Sequence, residues 1–352
     1  MCAALPQATP NNPQHDTADA LLSVRNLTKH FPVKKGFFNK TVGHVHAVND
    51  LSFDIRPGEI LGIVGESGCG KSTLARCILQ LLRPTSGQVL FDGHELTRLS
   101  QNELRPLRQD MQIIFQNPYS SLDPRMSIGD TIAEPFIIHK TKRGPQRTAA
   151  VRELLNLVGL AQSSFDRFPH ELSGGQRQRV GIARALALRP KFVVADEPVS
   201  ALDVSVQAQI LNLLIELKDS FNLTYLFIAH NLSVVDYLCD RIGVMYLGHL
   251  MELGPAHQVY DTPLHPYSQS LINAVPKTDP RHRHQHRILL EGDLPSPINP
   301  PTGCVFHTRC PHTQDNCKTE DPQLRVPDHH GPNRWVACPH AEAIQQSLKK
   351  GP

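Results

Sequence analysis

Alternating and periodic apolar positions divide residues 21–275 into strands and helices. Apolar or alternating runs of strand length occur at 21–31, 47–55, 60–65, 191–196, 224–230 and 241–248. Apolar residues recur at helical spacing in 71–82, 149–160, 173–188 and 208–221. Because strands alternate with helices along the chain, we predict an α/β fold with a mainly parallel sheet.

Changes in composition divide the chain into three parts. Residues 1–20 are polar and contain three prolines, which predicts a disordered tail. Residues 21–275 carry the periodic strands and helices and form the main domain. Residues 276–352 form an extension that begins with the histidine-rich stretch RHRHQHR (281–287) and a proline-rich connector. We interpret the histidine-rich stretch as a linker, with metal binding as the alternative.

Charge and hydropathy exclude several classes of protein. The chain has 36 Lys and Arg against 33 Asp and Glu, a net charge of +3. That balance falls short of the strongly basic surface of a dedicated nucleic-acid binder. There is no run of about 18 uncharged apolar residues and no signal-peptide core. We therefore predict a chain that stays in the reducing cytosol, where structural disulfides are rare.

A glycine-rich motif follows the predicted strand at 60–65 and opens the predicted helix at 71–82. The sequence GESGCGKST fits G-x-x-x-x-G-K-[ST], a loop whose backbone N–H groups surround phosphates at a helix N-terminus. Lys71 is placed to reach the β- and γ-phosphates, and Ser72 to bind Mg²⁺. The predicted nucleotide-binding residues of this loop are Gly65, Glu66, Ser67, Gly68, Cys69, Gly70, Lys71, Ser72 and Thr73.

Two acidic residues end the buried strand at 191–196. A carboxylate at the carboxyl end of a parallel strand lies on the ligand-binding edge of the sheet. Asp196 is therefore a candidate Mg²⁺ ligand, and Glu197 is placed to orient or deprotonate an attacking water. Together with the glycine loop, this pair predicts hydrolysis of a nucleoside triphosphate.

The order of four motifs resembles the nucleotide-binding subunit of an ATP-binding cassette (ABC) transporter. These are the glycine loop, LSGGQ (172–176), FVVADEP (192–198) and SALD (200–203). The resemblance covers about residues 21–275. It implies a P-loop nucleoside triphosphatase fold with a helical subdomain and an antiparallel β subdomain.

The resemblance also implies roles for individual residues. Phe31 corresponds to an aromatic residue that stacks on adenine, with a core phenylalanine as the alternative. Gln116 corresponds to a glutamine that contacts Mg²⁺ and couples to membrane subunits, and His230 to a histidine near the γ-phosphate. Asp203 corresponds to a loop that crosses the interface between two ATPase subunits. The residues that would contact ATP held by the opposite subunit are Ser173, Gly174, Gly175 and Gln176.

Further stretches, including HFPVKKGFF, QNPYSSLDPRM and HPYSQSL, resemble the ATP-binding subunits of dipeptide and oligopeptide importers, of the F type. This resemblance implies a peripheral subunit on the cytoplasmic face of the inner membrane. Its implied partners are a second ATPase subunit, two permease subunits and an extracytoplasmic peptide-binding protein. Glutathione, nickel or cationic peptides remain alternative cargoes, and a soluble ABC ATPase acting on nucleic acid or ribosomes is the alternative class.

Four cysteines gather in the extension: Cys304, Cys310, Cys317 and Cys338. Their spacing differs from the paired C-x₂-C of structural zinc sites, although four thiolates suit either zinc or an iron–sulfur cluster. The resemblance to peptide-importer ATPases favours a 4Fe–4S cluster over zinc and over unliganded thiols. Cys69, inside the glycine loop, is interpreted as a small tolerated residue, with an oxidation switch as the alternative.

Overall fold

The computed structural model describes residues 19–36, 39–119, 121–274 and 292–350. Most of the predicted tail at 1–20, the predicted domain boundary at 275–276 and the histidine-rich stretch at 281–287 lie outside these residues.

The described residues form the strands and helices that the apolar pattern indicates, together with shorter elements. The strands are β1 (Leu22–Lys35), β2 (Lys40–Ile55), β3 (Ile60–Val64), β4 (Ser86–Phe91), β5 (His94–Glu95), β6 (Met111–Ile114), β7 (Phe192–Asp196), β8 (Thr224–Ala229), β9 (Arg241–Tyr246), β10 (His249–Pro255) and β11 (Trp335–Val336). The helices are α1 (Lys71–Ile78), α2 (Gln101–Leu107), α3 (Ile128–Ile138), α4 (Gly144–Leu157), α5 (Gly174–Leu186), α6 (Val204–Phe221), α7 (Leu232–Leu238), α8 (Ala256–Asp261), α9 (Pro266–Asn273) and α10 (Ala341–Lys350).

Two sheets organise these strands. The larger has the order β11-β10-β9-β3-β8-β7-β6, and its strands from β9 to β6 are parallel. The smaller has the order β2-β1-β4-β5 and is antiparallel. The predicted α/β fold with a mainly parallel sheet and an antiparallel β subdomain is therefore confirmed.

The central strands of the large sheet are buried on both faces, which explains their continuous apolar sequences. Along β7, Val193 and Ala195 belong to one apolar cluster, which includes the helices α3 to α6. Phe192 and Val194 point to the other cluster, which includes α1 and the antiparallel sheet. The large sheet thus separates two cores.

A helical subdomain formed by α3, α4 and α5 packs on the first of these cores. Ser127 caps α3 by accepting a hydrogen bond from the backbone N–H of Asp130 at 3.0 Å. A Cβ on Gly129 would lie 2.8 Å from the ring of Phe165, so the missing side chain permits close packing there. The predicted helical subdomain is confirmed.

Helix α1 is shorter than the apolar pattern predicts. Helical spacing over 71–82 places Leu81 on a buried face, but the helix ends at Ile78 and Leu81 is 50 % exposed. Gln80 adopts a left-handed conformation with φ of 52° and donates its side-chain amide to the carbonyl of Cys77. This turn terminates the helix and moves Leu81 away from the core.

The extension contributes to the main sheet. Strand β11 pairs antiparallel with β10 at its outer edge. Beside it, Arg334 donates to the carboxylate of Glu252 at 2.7 Å, and both side chains are almost fully buried. Residues 292–350 therefore share packing with the residues before the gap. No helix among the described residues combines the length and the apolar character that crossing a membrane requires.

Candidate functional site

The register of the parallel sheet brings three predicted site segments to one edge. Val64 pairs with Ala229, and Asp196 pairs with Ile228, so β3, β7 and β8 end side by side. The residues that follow these ends belong to the glycine loop, the acid pair and the His230 loop. The carboxyl edge of the sheet is thus the place where the predicted chemistry converges.

The glycine loop is shaped by close backbone packing. Gly70 has φ of 106° and precedes α1, and a Cβ at this residue would lie 2.0 Å from the carbonyl oxygen of Ala47. A Cβ at Gly65 would lie 2.1 Å from the carbonyl oxygen of Met245. Side chains are therefore excluded at both residues, which leaves a loop of backbone N–H groups ahead of a helix N-terminus.

The Lys71 ammonium is held inside this loop. It donates to the carbonyl oxygens of Gly65 at 2.8 Å and Glu66 at 3.0 Å, and the side chain is buried. The thiol of Cys69 lies 3.8 Å from the same nitrogen. Burial raises the pKa of Cys69 despite the nearby ammonium, which disfavours the reactive thiolate and argues against an oxidation switch.

Ser72 and Asp196 form one oxygen pair. The Ser72 hydroxyl donates to the Asp196 carboxylate at 2.9 Å, and Asp196 is buried at the end of β7. Burial raises the pKa of Asp196, the Ser72 hydrogen bond opposes that shift, and the charge of Glu197 adds to it. Mg²⁺ prefers oxygen ligands, and its positive charge would offset the negative charge that burial makes unfavourable on Asp196. Ser72 and Asp196 therefore fit this ion.

Glu197 lies between Gln116 and His230. The Gln116 amide donates to Glu197 at 2.7 Å, and Nδ1 of His230 lies 3.5 Å from the same carboxylate oxygen. Glu197 has a left-handed backbone with φ of 46°, a conformation that non-glycine residues adopt at some energetic cost. The three residues predicted separately for catalysis thus lie together at one carboxylate oxygen.

Phe31 lies on β1 in the antiparallel sheet. Its ring is half-buried, and the ammonium of Lys29 lies 5.0 Å from the ring centroid. The ring is outside the buried clusters of the two cores, which disfavours the alternative of a core phenylalanine. A half-exposed ring of this kind presents surface on which a base can stack.

The LSGGQ motif forms the N-terminus of α5. Ser173 accepts from the backbone N–H of Gln176 at 3.3 Å, and the Gln176 side chain accepts from the backbone N–H of Ser173 at 3.0 Å. These two bonds make a capping box. A Cβ at Gly174 would lie 3.2 Å from the hydroxyl of Tyr119. The motif is therefore an exposed, ordered helix start.

Asp203 caps the neighbouring helix α6. Its carboxylate accepts from the Ser205 hydroxyl at 2.7 Å and from the backbone N–H of Val206 at 3.0 Å. The hydrogen bond from Ser205 lowers the pKa of Asp203 most, and the one from Val206 lowers it further. The structure thus places the SALD motif at a helix start beside the start of α5.

The four cysteines of the extension line one cavity of about 250 Å³ together with His307 and Phe306. All four are free thiols and are partly buried. The backbone N–H of Cys304 donates to the carbonyl of Cys317 at 2.9 Å, which joins two of the cysteine segments. The structure thus brings the four cysteines to the lining of one cavity.

Burial raises the pKa of three of these thiols. The pKa of Cys304 rises to about 11, that of Cys338 to about 12, and that of Cys310 is also raised. Neighbouring thiols add to each shift. Within the described part of the chain, however, no three His, Cys, Asp or Glu side chains approach closely enough to hold one metal ion.

Sequence reasoning missed the contacts that the extension makes with the glycine loop. Arg309 donates to both carboxylate oxygens of Glu66, at 2.8 and 3.1 Å, across 243 residues of sequence. The hydroxyl of Tyr267 accepts from the backbone N–H of Glu66 at 2.9 Å. The acidic residue within the glycine loop was the available signal, since a carboxylate beside a phosphate site needs a cationic partner.

The phosphate loop, the strand-end acids and the capped LSGGQ helix define an ABC-type ATPase. The family model described as "ABC transporter" matches residues 48–200, and "Oligopeptide/dipeptide transporter, C-terminal region" matches residues 251–317. The chain resembles the ATP-binding cassette MJ0796 in a structure titled as dimeric and bound to ADP and Pi. That match has a TM-score of 0.60, 29 % identity, and coverage of 67 % of this chain and 98 % of the other.

Comparison with related proteins identifies the branch of ABC ATPases to which the chain belongs. The oligopeptide transport ATP-binding protein AppF of Bacillus subtilis (strain 168) is 52 % identical over 91 % of this chain and 97 % of its own length. The di/tripeptide transport ATP-binding protein DppF of Pseudomonas aeruginosa (strain UCBPP-PA14) is 47 % identical over 92 % of this chain and 98 % of its own length. The chain belongs to the family of oligopeptide and dipeptide ABC transporter ATP-binding proteins. The predicted family and F-type branch are confirmed.

Proposed function

We propose that this ATPase drives the import of dipeptides or oligopeptides by an ABC transporter. The observation that carries the proposal is the joining, in one chain, of an ordered ATPase site to the C-terminal region typical of peptide transporters. The names of AppF and DppF support the peptide cargo.

The site geometry supports a division of labour in hydrolysis. Lys71 and the loop N–H groups bind the phosphates, and the half-buried Phe31 stacks on the base. Ser72 and Asp196 hold Mg²⁺, which neutralises charge on the transferred phosphoryl group when bound. Glu197 orients or deprotonates the attacking water.

Gln116 and His230 both lie at the Oε2 atom of Glu197, so the other oxygen, Oε1, would be the one that accepts from the attacking water. The structure places the Gln116 amide on Glu197, while its proposed contact with Mg²⁺ rests on the family resemblance. Both side chains follow strands that end at the sheet edge beside the glycine loop, where the γ-phosphate would be bound.

A second ATPase subunit completes each site in this proposal. Ser173, Gly174, Gly175 and Gln176 present a helix N-terminus, which carries partial positive charge and suits a phosphate held by the partner. Asp203 starts the adjacent helix and lies on the same surface. The dimeric ADP- and phosphate-bound structure of MJ0796 supports this arrangement.

The proposed membrane partners are two permease subunits, with an extracytoplasmic peptide-binding protein acting through them. A groove of about 430 Å³ lies between the Gln116 segment and α3 and is lined by residues that include Phe115 and Ile138. Their side chains are 38 % and 47 % exposed. We assign this groove to a cytoplasmic helix of a permease, because closure around Gln116 would then move the groove directly. The chain would lie peripherally at the cytoplasmic face of the membrane.

Reconstitution of the chain with its permeases and partner ATPase in vesicles tests the function. Peptides presented with the binding protein should stimulate ATP hydrolysis and accumulate in the receiving compartment. Lys71→Ala in this chain should weaken ATP binding and reduce uptake. Stimulation by nickel or glutathione but by no peptide would contradict the proposed cargo.

We also propose that the four cysteines hold a 4Fe–4S cluster. The support for this proposal is that one cavity is lined by all four thiols, whose number suits a 4Fe–4S cluster. Bound iron would lower the raised pKa values of the buried thiols. Anaerobic purification with quantification of iron, sulfide and zinc tests this; zinc without sulfide, or neither metal, would contradict it.

A further inference from the structure

The cysteine-rich segment contacts the phosphate loop through Arg309. This residue lies between Cys304 and Cys310 in sequence, and its side chain is 7 % exposed. Its guanidinium makes two hydrogen bonds to the Glu66 carboxylate, at 2.8 and 3.1 Å. This bidentate geometry fixes both the distance and the plane of the carboxylate, which a single contact does not.

Aromatic packing holds Arg309 in place. Phe306, three residues earlier, is fully buried and packs with ring centroids 5.3 Å from both Tyr246 and Tyr267. The guanidinium of Arg309 lies 5.9 Å from the Tyr246 ring centroid and 3.5 Å from its hydroxyl. The cation is therefore anchored from the main domain and from the extension at once.

Glu66 is in turn connected to the phosphate-binding lysine. Its backbone N–H donates to Tyr267 at 2.9 Å, and its carbonyl accepts from Lys71 at 3.0 Å. Three groups of Glu66 are thus held by three different partners: its side chain, its backbone N–H and its carbonyl. Because the Glu66 carbonyl also binds Lys71, a shift in the position of the Glu66 carboxylate would alter the position of the Lys71 ammonium.

Charge gives this contact a second consequence. Glu66 places a carboxylate inside a loop that binds a polyanion, and an unpaired negative charge there would repel ATP. The Arg309 guanidinium offsets that charge at hydrogen-bonding distance.

We propose that Arg309, although it lies in the cysteine-rich extension, is a positioning residue for ATP binding that holds and neutralises Glu66 in the phosphate loop. The extension thereby completes a site whose other parts come from the main domain. The proposal rests on the assignment of this loop to ATP in the proposed function.

The test measures Mg·ATP affinity of the full chain by calorimetric titration, together with KM and kcat for ATP. Arg309→Gln should raise the Kd and KM on the order of tenfold and leave kcat within about twofold, because the pair acts on binding rather than on the water. Arg309→Lys should recover only part of the affinity, since lysine lacks the bidentate fork. An unchanged Kd in Arg309→Gln would overturn the proposal.

A double substitution separates this role from general packing. In Glu66→Gln/Arg309→Gln neither charge is left unpaired, so affinity should return to within about threefold of the wild type. If the double variant binds ATP as weakly as Arg309→Gln, the effect does not pass through Glu66 and the proposal fails. This variant also covers the case in which Arg309→Gln alone is unstable.

Arg325→Gln is the matched control. Arg325 makes the same kind of bidentate pair within the extension, with Glu342 at 2.7 and 2.5 Å. Its loss should leave the Kd for ATP unchanged, and a weakening equal to that of Arg309→Gln would overturn the proposal.

Lys71→Ala tests the site itself. Normal ATP binding by Lys71→Ala would refute the assigned site. Weak ATP binding by Lys71→Ala together with normal binding by Arg309→Gln would refute only the role of Arg309.

Discussion

The phosphate loop and the cysteine cavity are built by opposite means within one chain. In the loop, close backbone contacts at Gly65 and Gly70 set the shape, and carbonyl oxygens of the loop hold Lys71. In the cavity, four side chains surround open space, and burial raises the pKa of three of their thiols. A site made by backbone is formed once the chain folds, whereas the cavity would gain stability from the cluster that we propose for it.

The phosphate loop and the cysteine cavity should therefore depend on their ligands in different ways. The loop offers N–H groups and an ammonium, which water solvates when no phosphate is bound. Burial favours the protonated form of three of the cavity's thiols, and binding of the proposed cluster would displace those protons. Arg309 connects the two, because it lies next to Cys310 in sequence and pairs with Glu66 in the loop.

Removal of the proposed base would test whether the loop binds nucleotide independently of turnover. Glu197→Gln keeps the shape of the side chain and loses its basicity, so we expect turnover to fall about 10²- to 10⁴-fold. ATP affinity should change little, because Lys71 and the loop are untouched. Steady-state hydrolysis and equilibrium ATP binding measure the two effects separately.

Glu103→Gln is the control for this substitution. Glu103 caps α2 at the surface by accepting from Ser100 and lies outside the sheet edge that carries the site. Its hydrolysis rate should match that of the wild type. Near-normal hydrolysis by Glu197→Gln would contradict the role given to Glu197.

Loss of one thiol would test whether the cavity holds the proposed cluster. Cys310→Ser should bring iron and sulfide to background in anaerobically purified protein and should lower the melting temperature. Cys239→Ala removes a thiol buried in the core near Gly62, away from the cavity, and should retain both elements. Equal iron and sulfide in Cys310→Ser and the wild type would exclude Cys310 as a ligand.

The same contrast shows how far the sequence alone predicts the molecule. The phosphate loop was predictable residue by residue, because its glycines, Lys71 and Ser72 follow in one continuous segment between a strand and a helix. The place of Asp196 and Glu197 at the ligand-binding edge followed from the rule that parallel strands end at one edge, whereas the role of His230 was implied only by the family resemblance.

Other features were not predictable because they depend on distant contacts. The pairing of Arg309 with Glu66 spans 243 residues, and no periodic pattern reports it. The end of α1 at Ile78 depends on the left-handed turn at Gln80, which the apolar spacing of Leu81 obscures. Pairing of β11 with β10 likewise joins residues of the extension to the main sheet without a strong local signal.

Two glycines of α5 would test how strongly backbone packing shapes the LSGGQ helix. A Cβ at Gly175 would lie 2.5 Å from Cγ1 of Val206, so Gly175→Ala should destabilise the fold by about 1–3 kcal/mol. Gly181, in the same helix, has open space around it, and Gly181→Ala should stabilise by about 0.5–1 kcal/mol. Denaturant unfolding of the two variants measures both, and effects of the same sign would contradict this account of α5.

The last effect, similar in size to that of Gly181→Ala, is a gain in stability from the loss of a site residue. Because burial raises the pKa of Asp196 above its unfolded value, stability falls as the pH rises from the unfolded pKa to the folded pKa, and above the folded pKa the ionised carboxylate costs stability. Asp196→Asn should therefore raise stability without nucleotide by about 1 kcal/mol. With Mg·ATP the order should reverse, since the amide is a poorer Mg²⁺ ligand than the carboxylate.

Asp123 provides the opposite case for the same substitution. Its exposed carboxylate accepts hydrogen bonds from Arg125, which lower its pKa to about 2, so Asp123→Asn removes a favourable interaction and should give no gain. Thermal unfolding of both variants with and without Mg·ATP tests the pair. A melting temperature for Asp196→Asn below that of the wild type in the absence of nucleotide would mean that the carboxylate at the sheet edge is stabilised by its neighbours. The loop and its acids would then be satisfied by their own neighbours before any ligand binds.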